Sequence, residues 1–277
     1  MFECVANISE GRNATWLDNV ASTTPGVVDV HRDPDHNRSV FTMLGTSEAL
    51  IESVMALARA VVSDLDLSMH DGVHPRIGVL DVVPFVPLGS ATIDQAAALR
   101  DDCARRLSSE LNLPCFLYGP LGQENRTLPS IRSDAFDGLA PDFGPPNPHR
   151  SAGAVAVGAR LPLVAWNIWL SGVALSTAKE IARSVRSANV RSLGLQVGDA
   201  VQVSCNLLEP SRATPQMVLD LVLDRLADRN AFDRCELVGL APMAVLDAIP
   251  ELDWERLDLS PSTTIEHAAA ALGLSLG

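Results

Sequence analysis

The sequence has few basic residues and few aromatic residues, and each shortage excludes a class of protein. Lysine and arginine number 21 against 34 aspartate and glutamate residues, so the formal net charge is −13. This charge and the lack of a basic run argue against nucleic-acid binding, which relies on attraction to phosphate. Four tryptophans and one tyrosine leave little surface on which bases could stack. We therefore expect no nucleic-acid partner, and an anionic substrate must be met by a local group of arginines.

Cysteine pairs and long apolar runs are also missing. The five cysteines are odd in number and widely spaced, without a CxxC motif. They argue against a disulfide framework and a zinc site, and they predict reduced thiols in a core. The most continuous apolar stretch, 153–170, is interrupted by polar residues and a proline, short of the roughly 20 residues of a membrane helix. Because Glu3 and Glu10 stand where a secretory signal is basic, we expect a cytoplasmic protein without a membrane partner.

Three common site motifs do not occur. Without GxxxxGK[ST] or GxGxxG, phosphate binding by those glycine-rich loops is unsupported. Without GxSxG, the usual nucleophile turn of a hydrolase is missing. What the chain does contain is 277 residues, of which 47% are hydrophobic. This is enough for one large domain or two small ones with a substantial core.

Helix signals and strand-like runs alternate along the chain. Capping patterns predict helix starts at Asn13, Thr46 or Ser47, Thr92, Thr177, Thr214 and Thr263. Apolar and β-branched runs predict strands at 2–8, 27–31, 39–44, 77–83, 115–118, 163–168, 193–197, 201–207 and 236–240. The order strand, helix, strand, strand, helix, strand occupies the first half and repeats from about residue 161.

That repeated order is typical of the split βαβ unit. We predict an α/β (α+β) protein of two ferredoxin-like split βαβ subdomains, 1–159 and 160–277. Each is expected to be a mainly antiparallel sheet with helices on one face, and a cleft is expected between them. A single larger mixed sheet is the alternative.

The segment 140–153, between the two halves, contains four prolines and two glycines. So many restricted or permissive backbone positions exclude helix and strand, which leaves an ordered loop or a linker. A linker would do no chemistry. We favour a functional loop, because His149, Arg150 and Ser151 lie at a domain junction, where small-molecule sites are often found.

The densest group of reactive side chains is MHDGVHPRIG, residues 69–78. His70 and His74 would form a metal-binding pair on a helix, but Gly72 and Pro75 oppose a helix, and no HExxH glutamate is present. The following proline favours an extended backbone at His74. A neutral imidazole with a pKa of about 6.5 is suited to accept a proton from an amine. A structural histidine is the alternative interpretation.

Other polar side chains are candidates for binding. Arg76 carries a planar fork that matches a carboxylate, with a surface salt bridge as the alternative role. Arg38 follows a predicted hairpin loop and is a second candidate for an anionic ligand. The polar turn 7–13 ends the first strand, although helix capping by Asn13 alone would explain it. Asp81 interrupts an apolar strand, so we expect it to have a partner and to act as structural support.

Several uncommon motifs occur in the order of a known family. The sequence resembles the formiminotransferase domain of glutamate formiminotransferases over nearly its whole length, most strongly in the first half. The motifs are CVANISEGRN (4–13), NRSVFTMLG (37–45), HDGVHPRIGVLDVVP (70–84), LYGP (117–120), TLPSIR (127–132), APDFG (140–144), LVAWN (163–167) and VQVSCNLL (201–208). Within this pattern Asp71, Val73 and Ala152 replace a lysine, a glutamate and a tryptophan of the family.

The resemblance implies a glutamate formimidoyltransferase of histidine and one-carbon metabolism, which moves the formimino group between N-formimino-L-glutamate and tetrahydrofolate. It implies that His74, the histidine of the HPR motif, is the catalytic base, and that the loop 144–153 binds folate. Tetrahydrofolate is then the carrier, and no metal is expected. The predicted folate and substrate contacts are Asn7, Glu10, Arg38, Arg76, Gly144, Pro145, Asn147, His149, Arg150, Ser151 and Gly153.

Two alternatives to this function stay open. The same fold could perform another folate-dependent one-carbon transfer, such as formyl transfer, or the chain could be a non-catalytic folate-binding module. The expected partners are small molecules, with a homodimer as one assembly to consider.

Overall fold

The computed structural model describes residues 1–72, 75–121 and 124–276. Over these ranges the strands are β1 Phe2–Ile8, β2 Val27–Asp33, β3 Arg38–Gly45, β4 Leu80–Pro87, β5 Cys115–Leu121, β6 Glu124–Arg126, β7 Val155–Ala159, β8 Val164–Leu170, β9 Val190–Val197, β10 Ala200–Leu207 and β11 Phe232–Val238. The helices are α1 Ala14–Thr23, α2 Ser47–Asp64, α3 Ile93–Leu111, α4 Leu128–Asp134, α5 Leu175–Val185, α6 Pro215–Leu223, α7 Met243–Asp247, α8 Glu251–Trp254 and α9 Ile265–Ala271. Two compact units result, Met1–Leu161 with the last residues of the chain, and Pro162–Gly273.

The first unit contains the predicted split βαβ order and extends it. Strands β1 to β4 lie in the order β2-β3-β1-β4, and each neighbouring pair is antiparallel. Beyond β4 the described sheet continues with β7, β5 and β6, and β4, β7 and β5 run parallel. Parallel strands need a crossover connection, which α3 supplies between β4 and β5. The predicted antiparallel sheet is therefore the larger part of a mixed one.

Both faces of this sheet are covered. Helices α1, α2 and α3 bury their apolar residues on one face, against side chains that include Phe41 and Phe85. On β5, Cys115 and Leu117 join that core, whereas Phe116 packs with Ile131 of α4 in a separate cluster. Because side chains alternate along a strand, the second cluster lies on the opposite face. Helix α4 therefore departs from the expectation of helices on one face only.

The second unit repeats the split βαβ order without an extension. Among its described residues the sheet has the order β11-β8-β10-β9, and every neighbouring pair is antiparallel. Helices α5 and α6 pack on the face that carries Trp166 and Ile168. The buried indole of Trp166 donates a hydrogen bond to the carbonyl of Leu257 across 2.9 Å. The predicted α/β class and the duplicated order are thus both confirmed.

Most predicted helix starts agree with the structure. The side chain of Asn13 caps α1, Thr92 caps α3 in a capping box, and Thr214 caps α6. Two predictions were wrong. Helix α5 begins at Leu175, so Thr177 lies inside its first turn, and the cap residue Ala174 offers no side-chain hydrogen bond. Helix α9 is capped by Thr264. The predicted cap, Thr263, is instead the last residue of a short 3₁₀ turn.

The cysteines are all buried and free, as the sequence indicated. Burial raises the pKa of the Cys205 thiol to about 12 and raises that of Cys4 as well. In the described ranges, no helix has the length and the apolar composition needed to cross a membrane.

Candidate active site

Five chain segments meet at one edge of the first unit's sheet. At this edge β1 ends and β4 begins, since Ile8 pairs with Leu80. The hydroxyl of Ser9 donates to the carbonyl of Gly78 across 2.8 Å. Around this point lie the turn 9–13, the hairpin loop 34–37, the coil 70–72, the segment 75–79 and the loop 149–154. Three of these segments, 9–13, 75–79 and 149–154, contain residues that the sequence predicted for the site.

Asn37 joins three of these segments. It lies in the hairpin loop with a positive φ of 48°. Its Oδ1 accepts a hydrogen bond from the backbone N–H of Gly11 at 3.0 Å, and its Nδ2 donates to the carbonyl of Asp71 at 2.9 Å. The same Nδ2 lies 3.4 Å from Nδ1 of His70. The hairpin loop therefore fixes the coil that leads into the HPR motif.

Gly72 packs so tightly here that no larger residue fits without movement. A Cβ at this position would lie 2.5 Å from the carbonyl oxygen of His36 and 2.7 Å from Nη2 of Arg76. Arg76 in turn donates to that carbonyl across 3.3 Å. Val73 and the predicted base, His74, lie outside the described residues. Their neighbours Gly72 and Arg76 are both held against the hairpin loop.

Three arginines lie around a single carboxylate. Oδ2 of Asp81 accepts a hydrogen bond from Nη2 of Arg132 at 2.7 Å, and Oδ1 accepts one from the backbone N–H of Ile77 at 2.8 Å. Arg38 and Arg76 line a small surface notch together with Asp81. Asp33 also acts on the charge of Arg38, and Asp71 on that of Arg76. Asp81 has the structural role that the sequence predicted, with an arginine partner in addition to the backbone.

The half-buried side chain of Arg38 is oriented by Asn7. Oδ1 of Asn7 accepts hydrogen bonds from Nε of Arg38 at 3.0 Å and from its Nη2. Burial lowers the pKa of Arg38 to about 10, with Arg132 and Arg76 acting in the same direction and Asp81 opposing them. The guanidinium is still charged at neutral pH. Asn7 therefore positions a charge at the site.

Glu10 holds the turn after β1. Its Oε1 accepts hydrogen bonds from the backbone N–H groups of Arg12 at 2.6 Å and Asn13 at 2.8 Å. Its carbonyl accepts one from the hydroxyl of Ser39 at 2.6 Å. These contacts give Glu10 a role in shaping the turn. A contact between Glu10 and a substrate stays a prediction.

The end of the predicted folate loop forms a tight, closed turn. His149 and Gly153 exchange backbone hydrogen bonds of 2.8 and 2.9 Å. Nδ1 of His149 accepts a third from the backbone N–H of Ala152 at 3.1 Å. This ring therefore stabilises its own loop through one nitrogen.

The same loop is bonded to both sides of the HPR motif. The carbonyl of Ser151 accepts from the N–H of Leu67 at 2.7 Å, and that of Ala152 accepts from Val79 at 3.0 Å. Gly78 allows this approach, since a Cβ there would lie 1.9 Å from the carbonyl oxygen of Ala154. Two motifs far apart in the sequence are thus brought together within one unit.

The other predicted loop residues are Arg150, within this turn, and Gly144, Pro145 and Asn147, which precede it. Arg150 is exposed, and its charge adds to hydrogen bonds from Ser68 that lower the pKa of Asp66. Gly144 is next to the start of β5, and its Cβ would lie 2.5 Å from the carbonyl oxygen of Leu113. Pro145 is half-buried and Asn147 is exposed. Their contact with folate stays a prediction.

Sequence reasoning missed two residues of this site, His70 and Arg132. His70 was considered only as half of a metal pair, and a group of three or more ligands for a metal ion is not found among the described residues. Arg132 comes from α4 on the second face of the sheet, 51 residues from its partner Asp81. Its place in the TLPSIR motif was the one available signal.

Comparison with known proteins decides the family. A family model described as the formiminotransferase domain, N-terminal subdomain, matches residues 1–160. The chain belongs to the formiminotransferase family.

Relatives of this formiminotransferase-family chain occur in distant organisms. Glutamate formimidoyltransferase of Streptococcus pyogenes serotype M1 is 32% identical over 274 residues, which cover 90% of this chain and 91% of the relative. The protein of the same name in Thermoplasma acidophilum is 33% identical, with 89% of each chain covered. Formimidoyltransferase-cyclodeaminase of Rattus norvegicus is 35% identical over 90% of this chain. The match spans 51% of the rat protein, about half its length.

The formiminotransferase motifs in this chain supply two kinds of side chain at the sheet edge, amides and arginines. NRSVFTMLG and CVANISEGRN supply the amides Asn37 and Asn7, which hold backbone and Arg38 in place. The HPR motif and TLPSIR supply Arg76 and Arg132, which bring positive charge. These arginines form a local basic group in a protein whose net charge is −13.

Proposed function

We propose that this protein is a glutamate formimidoyltransferase, which transfers the formimino group between N-formimino-L-glutamate and tetrahydrofolate. One observation carries the proposal. A bacterial and an archaeal protein with that name align with this chain over about nine tenths of both lengths. The arginine-rich edge supports it, because both substrates carry carboxylates.

The chemistry needs a proton to move between two nitrogens. The amine nitrogen of the reduced pterin forms a bond to the formimino carbon, and the bond from that carbon to the glutamate nitrogen breaks. The attacking nitrogen loses a proton and the leaving nitrogen gains one, so nothing is oxidised or reduced. A single imidazole within hydrogen-bond reach can accept that proton and return it. We assign this role to His74.

The support for His74 comes from its sequence neighbours. Gly72 packs against the hairpin loop, and Arg76 hydrogen-bonds to the same loop. Holding two substrates beside such a base supplies much of the remaining rate enhancement. The segment on either side of His74 is therefore anchored where the positive charges collect.

The arginines divide into two roles in this proposal. Arg38 is half-buried and bonded to Asn7, which holds its charge in a fixed position. Arg76 is half-buried, and its guanidinium is suited to a direct contact with a substrate carboxylate. The loop 144–153 is proposed to bind folate, and its bonds to Leu67 and Val79 support a fixed position beside the HPR motif.

Three broader proposals follow from the same family membership. Residues 1–159 and 160–277 act as the N-terminal and C-terminal formiminotransferase subdomains. Tetrahydrofolate is the one-carbon carrier, and the reaction uses no metal. The protein works in the cytoplasm, where free buried thiols stay reduced.

A donor comparison tests the activity. The purified chain is mixed with tetrahydrofolate and either N-formimino-L-glutamate or N-formyl-L-glutamate. We expect glutamate and formimino-tetrahydrofolate to form in equal amounts, at least about tenfold faster than the formyl products. Faster formyl transfer would replace the proposal with another one-carbon reaction. Calorimetric binding of tetrahydrofolate by a folded protein that transfers neither group would identify a non-catalytic binding module instead.

A further inference from the structure

His70, which has no part in the proposed proton transfer, carries a buried polar atom. Its Nε2 is shielded from solvent and has no hydrogen-bond partner in the described part of the chain. Leaving a buried donor unpaired is costly, so such an atom in a native structure requires an explanation. The position at the assembled sheet edge offers one, since a bound substrate can supply the missing acceptor.

The contact with Asn37 determines which nitrogen of the ring carries the proton. Nδ2 of Asn37 lies 3.4 Å from Nδ1 of His70, and an amide nitrogen can only donate. The amide is oriented independently, because its oxygen accepts from the N–H of Gly11. Nδ1 of His70 is therefore an acceptor, and in the neutral ring the proton is on Nε2.

The surroundings of His70 favour that neutral ring. Burial lowers its pKa most, the positive charges of Arg76 and Arg12 lower it further, and the carboxylates of Glu10 and Asp71 oppose them. A second proton on the ring would add a third positive charge to this group. At neutral pH the ring therefore presents one N–H donor beside two cations, which is an arrangement suited to an anionic oxygen.

We propose that His70 is a substrate-binding residue whose Nε2–H donates a hydrogen bond to a carboxylate oxygen of a glutamate moiety. The inference rests on the proposed function for its ligands, since both N-formimino-L-glutamate and the tail of tetrahydrofolate contain that moiety. His70 lies in a coil outside any helix or strand and is half-buried.

Two substitutions separate this role from a purely structural one. His70→Asn keeps a polar atom near the position of Nδ1 and removes the donor at Nε2. His70→Gln reaches the position of Nε2 with an amide N–H. We expect His70→Asn to raise the KM of one substrate about tenfold, with kcat within twofold, and His70→Gln to raise it less than threefold. His267→Asn, at an exposed position of α9, is the matched control and should change neither constant.

The KM values identify the source of the carboxylate. A change confined to N-formimino-L-glutamate assigns the contact to the donor, and a change confined to tetrahydrofolate assigns it to the folate tail. The reverse order, with His70→Gln the more damaging variant, would show that Nδ1 and its bond to Asn37 carry the effect. That result would overturn the proposal, as would unchanged KM values in both variants.

Imidazole ¹⁵N NMR of the unsubstituted protein keeps the test independent of activity and of how the variants fold. The expected His70 signal is that of the Nε2–H tautomer, and it should shift when L-glutamate, N-formimino-L-glutamate or tetrahydrofolate is added. An Nδ1–H tautomer, or no shift with any of the three compounds, would contradict the proposal. A shift in a protein that shows no transfer would retain His70 as a binding residue while rejecting the proposed reaction.

Discussion

Arg132 on α4 reaches across the first sheet to Asp81 at the start of β4, and the two side chains are joined by a hydrogen bond of 2.7 Å. Asp81 is nearly inaccessible, whereas Arg132 keeps about a fifth of its side-chain exposure. The pair links the helix on one face of the sheet to the edge where Arg38 and Arg76 lie. Asp81 is therefore the carboxylate that Arg132, Arg38 and Arg76 share.

Replacing Asp81 with asparagine should weaken the fold markedly. The amide keeps an acceptor for the N–H of Ile77 but removes the carboxylate charge that is hydrogen-bonded to Arg132. Because breaking a buried pair is costly, we expect a loss of about 2–4 kcal/mol in the free energy of unfolding, measured with urea. Asp102→Asn, which breaks an exposed pair with Arg105, should cost less than about 0.5 kcal/mol. A similar small loss in both variants would contradict the assigned role.

Gly78→Ala should separate the loop 149–154 from the segment before β4. The new Cβ would lie 1.9 Å from a backbone oxygen, which cannot move aside as the end of a flexible side chain can. We expect about 2 kcal/mol of destabilisation and faster hydrogen exchange at the amides of Val79 and Ala154. Gly45→Ala is the control, because its Cβ would meet nothing closer than 3.4 Å. Unchanged exchange at both amides would show that the loop does not depend on this contact.

Arg76→Gln should affect substrate binding more than folding. The substitution removes a guanidinium from the group of positive charges while keeping a polar side chain. We expect the KM for N-formimino-L-glutamate to rise about tenfold, as for the loss of one charge-assisted hydrogen bond. Arg212→Gln, at an exposed position of the second unit, should leave it unchanged. Equal KM values in the two variants would remove Arg76 from the binding site.

His70 should make stability depend on pH. Its pKa in the folded protein is lowered, chiefly by burial and then by Arg76, from an ordinary value of about 6.5. On acidification the unfolded chain therefore takes up this proton first, so stability falls as the pH drops below about 6.5 and through the folded pKa. His70→Gln does not titrate. The difference in unfolding free energy between the two proteins should change between pH 7.5 and 5, and a constant difference would contradict the shift.

Local sequence patterns predicted much of the fold, because the residues that begin a helix or form a strand are close together in the sequence. The side chain of Asn13 caps α1, and Thr92 and Thr214 begin α3 and α6, by hydrogen bonds that involve only neighbouring residues. The duplicated strand and helix order then follows from the alternation of these elements. The parallel extension was missed for a physical reason. Strand β7 is buried at every position, so its apolar run has no alternation to mark it as a strand.

The site was only partly predictable, because its geometry depends on contacts between distant segments. The polar residues of the first turn and of the HPR motif stood out in the sequence by their type. Neither the pairing of Arg132 with Asp81 nor the contact of Asn37 with His70 leaves a local pattern, since 51 and 33 residues separate the partners. Such pairs can be identified only from the folded structure, in which the strands bring these segments close together.

The most direct test of the central claim is the rate of formimino transfer by His74→Ala. If His74 moves the proton between the two nitrogens, kcat should fall at least about a hundredfold, while the melting temperature stays within a few degrees. His267→Ala, at an exposed position of α9, should keep the full rate. A folded His74→Ala protein that transfers the formimino group at the unsubstituted rate would contradict the account.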